Sequence, residues 1–279
     1  MQLTTGLRIY IGVLAFVFGT VFGSFLNCMA WRIAHHESVL KGRSHCGVCG
    51  HTLGAADLIP VLSYVFLKGR CRYCGQRISV RYLAAEVVCG GGFVLSFLRF
   101  SLSMRTLQVM VLFCILLALS LVDFEIYEIP DRFILAGMIW YFATSWLMDR
   151  KLNLAGMTVY VLEEGQRLSL PEWGGNLLAG VTGAFAIGGG MLFLSLLFDR
   201  LLGKESMGGG DIKLFFMTSL YLGLAQGVFS LILSCIVGLV IAGVMRQKKV
   251  PFGPAISIAA FLSLLWGESF VNWYLSLMM

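Results

Sequence analysis

Apolar stretches about as long as a bilayer is thick recur along the chain and alternate with short polar segments. A helix needs roughly 20 predominantly apolar residues to cross the hydrocarbon core. The pattern predicts about eight such helices, at residues 9–31, 82–98, 106–122, 133–148, 175–198, 208–225, 227–245 and 254–275. The sixth and seventh meet at the sequence GLAQG, which we interpret as a tight turn. We therefore expect an all-α polytopic membrane protein.

The composition supports this fold class. Hydrophobic residues make up 58% of the 279-residue chain and charged residues only 13%, which excludes an ordinary water-soluble domain. The first apolar stretch follows Arg8, but it is too long for a signal-peptide core and ends without a small-residue cleavage site. We interpret it as a retained transmembrane helix.

Basic residues predict the orientation of the helices, because cytoplasmic loops near helix ends are enriched in Lys and Arg. The segment between the first two helices is the richest in these residues, so we place it in the cytoplasm. Alternation of the remaining helices then brings most of the 21 Lys and Arg residues to the same side. The net charge of +6 is explained by this topology and by anionic membrane lipid, so it does not indicate a nucleic-acid partner.

Two loops are long enough to have structure of their own. The first divides the chain into a first transmembrane helix at residues 1–32, a small cytoplasmic domain at residues 33–81 and a seven-helix membrane domain at residues 82–279. The second loop, at residues 149–173, lies on the opposite side of the membrane, and the sequence suggests no role for it.

The cytoplasmic loop contains two C-x-x-C pairs, Cys46 with Cys49 and Cys71 with Cys74. Two such pairs complete a tetrahedral shell of four thiolates without an open position, which is typical of structural zinc. Disulfides are disfavoured in a reducing cytoplasm, whereas iron in the same shell stays an alternative. Because the loop is too small to fold by apolar burial alone, the metal would stabilise its fold.

Two carboxylates lie at the ends of predicted membrane helices. A charged side chain inside a span costs roughly 2.5–3.5 kcal/mol even on the lenient insertion scale, so such residues are candidates for function. Asp123 ends the third helix and Asp211 begins the sixth, and the predicted topology brings both to the cytoplasmic side. Glu86 and Glu268 also lie in predicted helices, where we interpret them only as polar links between helices.

The segment before Asp211 is rich in glycine. The apolar stretch that follows is only about 21 Å long at 1.5 Å per residue, shorter than the hydrocarbon core of about 30 Å. The start of this helix must then lie below the membrane surface, where irregular backbone is tolerated only beside protein or a water-containing cavity. We therefore predict an active-site loop that comprises Gly208, Gly209, Gly210 and Lys213.

Two carboxylates that face one cavity are typical of aspartic proteases, in which the pair shares one proton because two like charges cannot both ionise there. One carboxylate activates a water molecule and the other protonates the reacting carbonyl group. A proton- or cation-coupled transporter would also use membrane aspartates, although no repeated halves are visible here. A membrane scaffold with a zinc knuckle would leave both aspartates without a function.

Several motifs together resemble the type IV prepilin peptidases. They are GSFLNCMAWR, the two cysteine pairs with LIPVLSY between them, ISVRYLAAE, VDFEIYEIPD, GGGDIKL and PFGP. The G-x-G-D motif of that family falls on Gly208 to Asp211 and its first catalytic aspartate on Asp123, with Asp131 as the rival. We prefer Asp123, because Asp131 follows a proline at the start of a helix, where an acid commonly stabilises the N-terminus.

The resemblance implies an intramembrane aspartyl endopeptidase in the bacterial inner membrane. Its substrates would be type IV prepilins or type II secretion pseudopilins, whose basic leader peptide is removed at the cytoplasmic face. A presenilin-like G-x-G-D protease would share the two aspartates, but it would need no cysteine domain and no methyltransferase activity. Neither the particular substrate nor an oligomeric state is indicated by the sequence.

Many members of that family also methylate the new N-terminal residue with S-adenosylmethionine, an activity associated with the cysteine-containing region. Gly69 matches a glycine position linked to methylation, although a turn before the third cysteine is the simpler interpretation. The chain departs from the family pattern at Gly47, where a proline is common, and at RIAHHES. These departures concern the conformation of the loop more than the metal ligands or the aspartates.

Overall fold

The computed structural model describes residues 4–39, 42–155, 172–203, 207–245 and 250–278. The described elements are helices: α1 (Thr5–Ala34), a 3₁₀ turn (Ala55–Leu58), α2 (Leu62–Phe66), α3 (Val80–Phe100), α4 (Met104–Ile126), α5 (Asp131–Ala155), α6 (Glu172–Ala184), a π-helical segment (Phe185–Gly189), α7 (Gly190–Leu202), α8 (Gly209–Met245) and α9 (Gly253–Met278). Most of the predicted external loop lies outside the described residues.

The all-α membrane fold predicted from the sequence is confirmed. Among the described residues, six helical segments are long and apolar enough to cross a bilayer: Thr5–Ala34, Val80–Phe100, Met104–Ile126, Leu177–Leu201, Gly209–Met245 and Gly253–Leu277. This count is lower than eight for two reasons. The predicted fourth helix exists as α5 but is less apolar, and the predicted sixth and seventh helices are counted together as α8, although Gly223 interrupts the helical backbone between them.

α8 contains the turn that GLAQG predicts. Gly223 has φ +69° and ψ −171°, which is not helical, although the residues on both sides are helical. A Cβ atom added to Gly227 would lie 3.3 Å from the Oγ atom of Ser219, whereas eight residues of a straight helix span about 12 Å. The chain therefore turns back sharply at Gly223, where a residue with a side chain would be strained.

The chain forms two compact units, Met1–Tyr127 and Glu128–Met279. In the first unit, α1 packs closely against α3 through Gly19 and Gly23, which lie one helical turn apart. A Cβ atom on either glycine would lie 2.7–2.8 Å from backbone atoms of α3. Small residues at this spacing allow membrane helices to approach closely, so the small-residue face of α1 fixes the position of the cysteine segment between α1 and α3.

In the second unit, the first half of α8 is the central element. Leu214, Phe215 and Met217 are almost completely buried. The hydroxyl group of Tyr221 donates a hydrogen bond of 2.6 Å to the carbonyl oxygen of Gly137 and so links α8 to α5. α6 and α9 also pack against α8. This packing holds the start of α8, which contains Asp211.

Candidate functional site

The structure brings the four cysteines of the two C-x-x-C pairs together. Their Sγ atoms all lie within 4.8 Å of one another, and those of Cys46 and Cys74 are 3.9 Å apart. None of the four forms a disulfide. A tetrahedral zinc ion with Zn–S bonds of about 2.3 Å requires sulfur–sulfur separations of roughly 3.8 Å. The donor set and its spacing therefore fit a tetrahedral metal ion.

Each cysteine pair lies in the same kind of turn. Gly50 and Gly75 each directly follow the second cysteine of a pair, and both have φ +69°. Their N–H groups donate hydrogen bonds of 2.9 Å to the carbonyl oxygens of Cys46 and Cys71, respectively. The sequence C-x-x-C-G thus encodes a turn that needs a left-handed residue at its end. This turn directs both thiols of a pair to one side.

A carboxylate connects the second turn to the 3₁₀ segment that follows the first cysteine pair. Asp57 accepts hydrogen bonds from the backbone N–H of Gly54 (3.1 Å), the Nε atom of Arg72 (2.6 Å) and the hydroxyl group of Tyr73 (3.1 Å). Arg72 and Tyr73 lie between the two cysteines of the second pair. The hydrogen bond from Arg72 holds the pKa of Asp57 below its usual range, although partial burial opposes this effect. Nothing in the sequence pattern indicates this contact.

We expect Asp57→Asn to destabilise the cysteine segment by about 1 kcal/mol at neutral pH. The stabilisation is fully present above the ordinary carboxyl pKa of about 3.9 and is lost as the pH falls through the lowered pKa of the folded state. Hydrogen–deuterium exchange of residues 44–78 at pH 7 measures the effect. Glu37→Gln, at an exposed acid between α1 and the first cysteine pair, is the control. Equal exchange in the two variants would contradict the role of Asp57.

Gly69 occupies a tight turn before the third cysteine. Its φ is +66°, and an added Cβ atom would lie 2.9 Å from the hydroxyl oxygen of Tyr64. Its carbonyl oxygen accepts a hydrogen bond of 2.8 Å from the N–H of Ile78. Gly69 therefore has a conformational role, as the simpler interpretation of the sequence expected, and it also lies against the ring of Tyr64.

Asp123 lies in the last turn of α4, in the first unit, and is only 4% exposed. Arg81, at the start of α3, holds this turn. Its Nη1 atom donates to Oε1 of Glu125 at 2.5 Å and its Nη2 atom donates to the carbonyl oxygen of Leu121 at 2.8 Å. Arg81 thereby fixes the helical turn that presents Asp123, a function that the sequence analysis did not assign to it.

Asp211 lies in the first turn of α8, in the second unit. Its N–H donates a hydrogen bond of 3.1 Å to the carbonyl oxygen of Gly208, and a Cβ atom on Gly208 would lie 3.3 Å from the carboxylate of Asp211. A Cβ atom on Gly210 would lie 3.0 Å from the side chain of Ile129, whereas Gly209 has open space beside it. Two of the three glycines thus allow close packing around Asp211.

Lys213 and Asp131 form an ion pair in the second unit. The Nζ atom of Lys213 donates to both carboxylate oxygens of Asp131, at 2.7 and 2.8 Å. Asp131 is in the first turn of α5, as the sequence predicts. Both side chains are exposed, 55% for Lys213 and 71% for Asp131, so the pair contributes little to stability. It nevertheless connects the start of α5 to the start of α8.

A buried acid on α3 holds a strained turn of the cysteine segment. Val61, in LIPVLSY, has φ +61°, which is unusual for a β-branched residue. Its N–H donates a hydrogen bond of 2.7 Å to Oε2 of Glu86, which is 8% exposed. From its position in a predicted helix, Glu86 was expected only to form a polar link to another helix. The sequence could not predict its partner, the N–H of Val61, because almost every residue type has a backbone N–H group.

The sequence that contains these residues is similar to the sequences of known proteins. The model of the bacterial peptidase A24 N-terminal domain matches residues 17–100, and that of the type IV leader peptidase family matches residues 110–243. The prepilin leader peptidase/N-methyltransferase of Bacillus subtilis (strain 168) is 32% identical, over 94% of this chain and 97% of its own length. The chain belongs to the type IV leader peptidase family. Proteins with the same name from Pseudomonas putida (32% identity, 93% of this chain and 92% of theirs) and Aeromonas salmonicida (strain A449) (30%, 99% and 98%) are also similar.

The similarity to the leader peptidase family extends over both groups of candidate residues, the cysteines and the aspartates. The N-terminal domain match includes the four cysteines and Gly69, and the second match includes Asp123 and Asp211. No solved structure matches the chain at a significant level. The two sequence matches, at residues 17–100 and 110–243, together include parts of both compact units.

Proposed function

We propose that this leader peptidase cleaves the basic leader from type IV prepilins or type II secretion pseudopilins and then methylates the new N-terminal amine. The observation that carries this proposal is the similarity to proteins named prepilin leader peptidase/N-methyltransferase, which extends over 94% of the chain. That similarity includes the cysteine segment, which neither a presenilin-like protease nor a cation-coupled transporter would need. It therefore favours the bifunctional peptidase over both of these classes of membrane protein.

Asp123 and Asp211 are the proposed catalytic pair. The pair shares one proton, so that the ionised carboxylate removes a proton from a water molecule while the other carboxyl group protonates the scissile carbonyl oxygen. Burial of Asp123 supports this role, because electrostatic interactions with a reacting group are stronger away from bulk water. The glycines before Asp211 leave room for the backbone of an extended substrate.

Asp131 is the weaker candidate for the first catalytic position. Lys213 engages both of its carboxylate oxygens, and 71% of its side chain is exposed. A carboxylate whose two oxygens already accept from a lysine has less capacity to bind a catalytic water or a substrate carbonyl group. We assign Asp131 to the ion pair that connects α5 with α8 and Asp123 to catalysis.

The four cysteines are the proposed ligands of a structural zinc ion. Four thiolates leave no open coordination position, so the metal would crosslink the two turns and would not activate water. The proposed location is the bacterial inner membrane, with the zinc segment and both aspartates on the cytoplasmic side. This orientation follows from the enrichment of Lys and Arg in the segment between α1 and α3.

For methylation, the proposed donor is S-adenosylmethionine. When bound, it would supply the methyl group of its sulfonium centre to the new N-terminal amine, with release of S-adenosylhomocysteine and a proton.

Mass spectrometry of a model prepilin tests both activities. The purified full chain, in detergent and with zinc bound, is incubated with the prepilin in the presence and absence of S-adenosylmethionine. We expect loss of the leader in both cases and the added mass of one methyl group only with the donor. An intact prepilin under both conditions would overturn the proposed function, and cleavage without methylation would remove its second half.

We expect Gly69→Ala to reduce methylation more than cleavage. The substitution strains a residue with φ +66° and pushes against the ring of Tyr64, at a cost of roughly 1–3 kcal/mol. The ratio of methylated to cleaved product measures the effect. Gly47→Ala is the matched control, because Gly47 lies in the same segment with open space around its Cα atom. An unchanged ratio in Gly69→Ala would contradict the prediction.

A further inference from the structure

The cysteine segment has a short apolar face, in and just before α2, that the first unit leaves exposed. Four side chains form this α2 face: Ile59, Leu62, Val65 and Phe66. Phe66 is 79% exposed. Residues three or four positions apart in a helix share one face. In the same stretch, Tyr64 and Leu67 line a cavity inside the unit. The stretch thus has one face that packs on its own unit and another that none of the described residues covers.

The contacts of α2 with α3 give the depth of the α2 face in the bilayer. α3 has 21 residues, so its length of about 31 Å just spans a hydrocarbon core of about 30 Å. Val61, directly before α2, donates its N–H to Oε2 of Glu86 at 2.7 Å. Glu86 lies six residues after the start of α3, which corresponds to about 9 Å along the helix axis. α2 therefore begins at the level of the outer hydrocarbon region.

Two arginines lie where the cysteine segment meets the start of α3. Ile78, two residues before α3, donates its N–H to the carbonyl oxygen of Gly69 at 2.8 Å, and its own carbonyl oxygen accepts from the hydroxyl group of Tyr64 at 3.2 Å. Next to this contact, Arg70 and Arg77 are opposite each other in an antiparallel bridge, and both are exposed. Like charges directly opposite each other are destabilising. An anionic group beside the two guanidinium groups would offset this repulsion.

An apolar face next to basic residues at this depth is typical of segments that lie in the membrane interface. Such segments bury their apolar side chains roughly 5–10 Å into the boundary between headgroups and acyl chains, while Lys and Arg attract anionic lipid. The depth of about 9 Å falls within this range. Lys68, between Phe66 and Arg70, is a further exposed basic residue. A docking site for a water-soluble protein would instead need the α2 face to lie above the headgroups.

We propose that the α2 face inserts into the outer hydrocarbon region of the bilayer and that Arg70 and Arg77 bind the headgroups of anionic phospholipid beside it. The partner of this surface is thus the membrane itself. In the orientation proposed above, the α2 face enters the cytoplasmic leaflet. The inference follows from the contacts between α2 and α3 and does not depend on either proposed activity. It gives the cysteine segment a third membrane attachment, in addition to α1 and α3 at its two ends.

Fluorine NMR of the full chain in lipid nanodiscs tests the insertion. Trifluoromethylphenylalanine replaces Phe66, whose exposure makes this change compatible with the fold. The nanodiscs contain phosphatidylethanolamine and phosphatidylglycerol. Two paramagnetic reagents are compared, a lipid with a nitroxide on its acyl chain and a water-soluble gadolinium chelate. We expect the lipid nitroxide to broaden the resonance at least about threefold more than the chelate does. The same label at Leu239, an exposed residue of α8, is the reference for lipid contact. Stronger broadening by the chelate would overturn the proposal and leave the α2 face open to a soluble partner.

Chemical modification of arginine in the unsubstituted protein tests the contact with anionic headgroups. Phenylglyoxal reacts with exposed guanidinium groups, and peptide mapping gives the rate at each arginine. We expect Arg70 and Arg77 to react at least about threefold more slowly in nanodiscs with phosphatidylglycerol than in nanodiscs of phosphatidylcholine alone. Arg72, which pairs with Asp57 in the same segment, is the control and should react equally in both lipids. Equal rates for Arg70 and Arg77 in the two lipids would overturn the proposed headgroup contact.

Discussion

Asp211→Asn and Asp123→Asn are each expected to reduce prepilin cleavage by on the order of 10³-fold or more, since general acid–base catalysis typically contributes 10²–10⁴-fold. An amide can neither remove a proton from water nor protonate a carbonyl oxygen, and it does not share a proton with its partner. Asparagine has nearly the same size as aspartate, so packing around the buried Asp123 should be retained. Initial rates of leader removal from a model prepilin measure the effect.

Asp131→Asn is the matched control for these two substitutions. It removes an exposed carboxylate whose two oxygens both accept from Lys213, and we expect it to retain cleavage within about tenfold of the parent. Zinc content and S-adenosylmethionine-dependent methylation of a precleaved pilin report whether each variant is folded. Near-parental cleavage by Asp123→Asn together with a large loss in Asp131→Asn would transfer the catalytic role to Asp131.

The helices were predictable from the sequence because lipid imposes a simple requirement on them. Each span must be apolar and must satisfy its backbone hydrogen bonds internally, so hydropathy alone predicts residues 82–98 and 106–122 where α3 and α4 run from Val80 to Phe100 and from Met104 to Ile126. The predicted ends are too short by a few residues, since the helices continue into polar segments. Similarly, the turn in α8 was predictable because glycine marks it.

The cysteine cluster was predictable because the spacing of its residues determines their geometry. Two residues between cysteines and a glycine after the pair encode the turn, and two such turns are sufficient for a tetrahedral shell. The contacts of Arg81, Glu86 and Lys213 were not predictable in this way. Each joins residues far apart in sequence, and the contacts of Arg81 and Glu86 include backbone groups, which any residue type supplies.

Each of these unpredicted contacts involves a segment that contains candidate site residues. Arg81 holds the end of α4 beside Asp123, Glu86 holds the cysteine segment on α3, and Lys213 holds the start of α8 beside Asp211. The catalytic groups indicated by the sequence stay a prediction, and the structure adds the side chains that hold the segments around them. Charged residues are common near the ends of membrane helices. The role of an individual one can therefore be assigned only from its contacts in the structure.

Cys71→Ser is expected to unfold the cysteine segment without disrupting the packing of the membrane helices. Cys71 is the buried member of the cluster, at 6% exposure, and serine cannot replace a thiolate ligand. Binding of structural zinc contributes roughly 10–16 kcal/mol in small zinc-dependent domains, far more than the apolar contacts of a segment of this size supply. Loss of one ligand should therefore abolish zinc retention, and residues 44–78 should exchange their amide hydrogens as rapidly as an unfolded chain.

The same substitution distinguishes a structural metal from a catalytic one. Because a four-thiolate shell leaves no open position, removal of zinc should act through the fold of the segment, so methylation and donor binding should be lost together with amide protection. Cys235→Ser, at an exposed cysteine of α8, is the control and should retain zinc and both activities. If residues 44–78 stay protected in metal-free Cys71→Ser, the metal does not stabilise this segment. Restoration of protection by zinc in the chelator-treated parent, but not in Cys71→Ser, would assign the stabilisation to the four-cysteine shell.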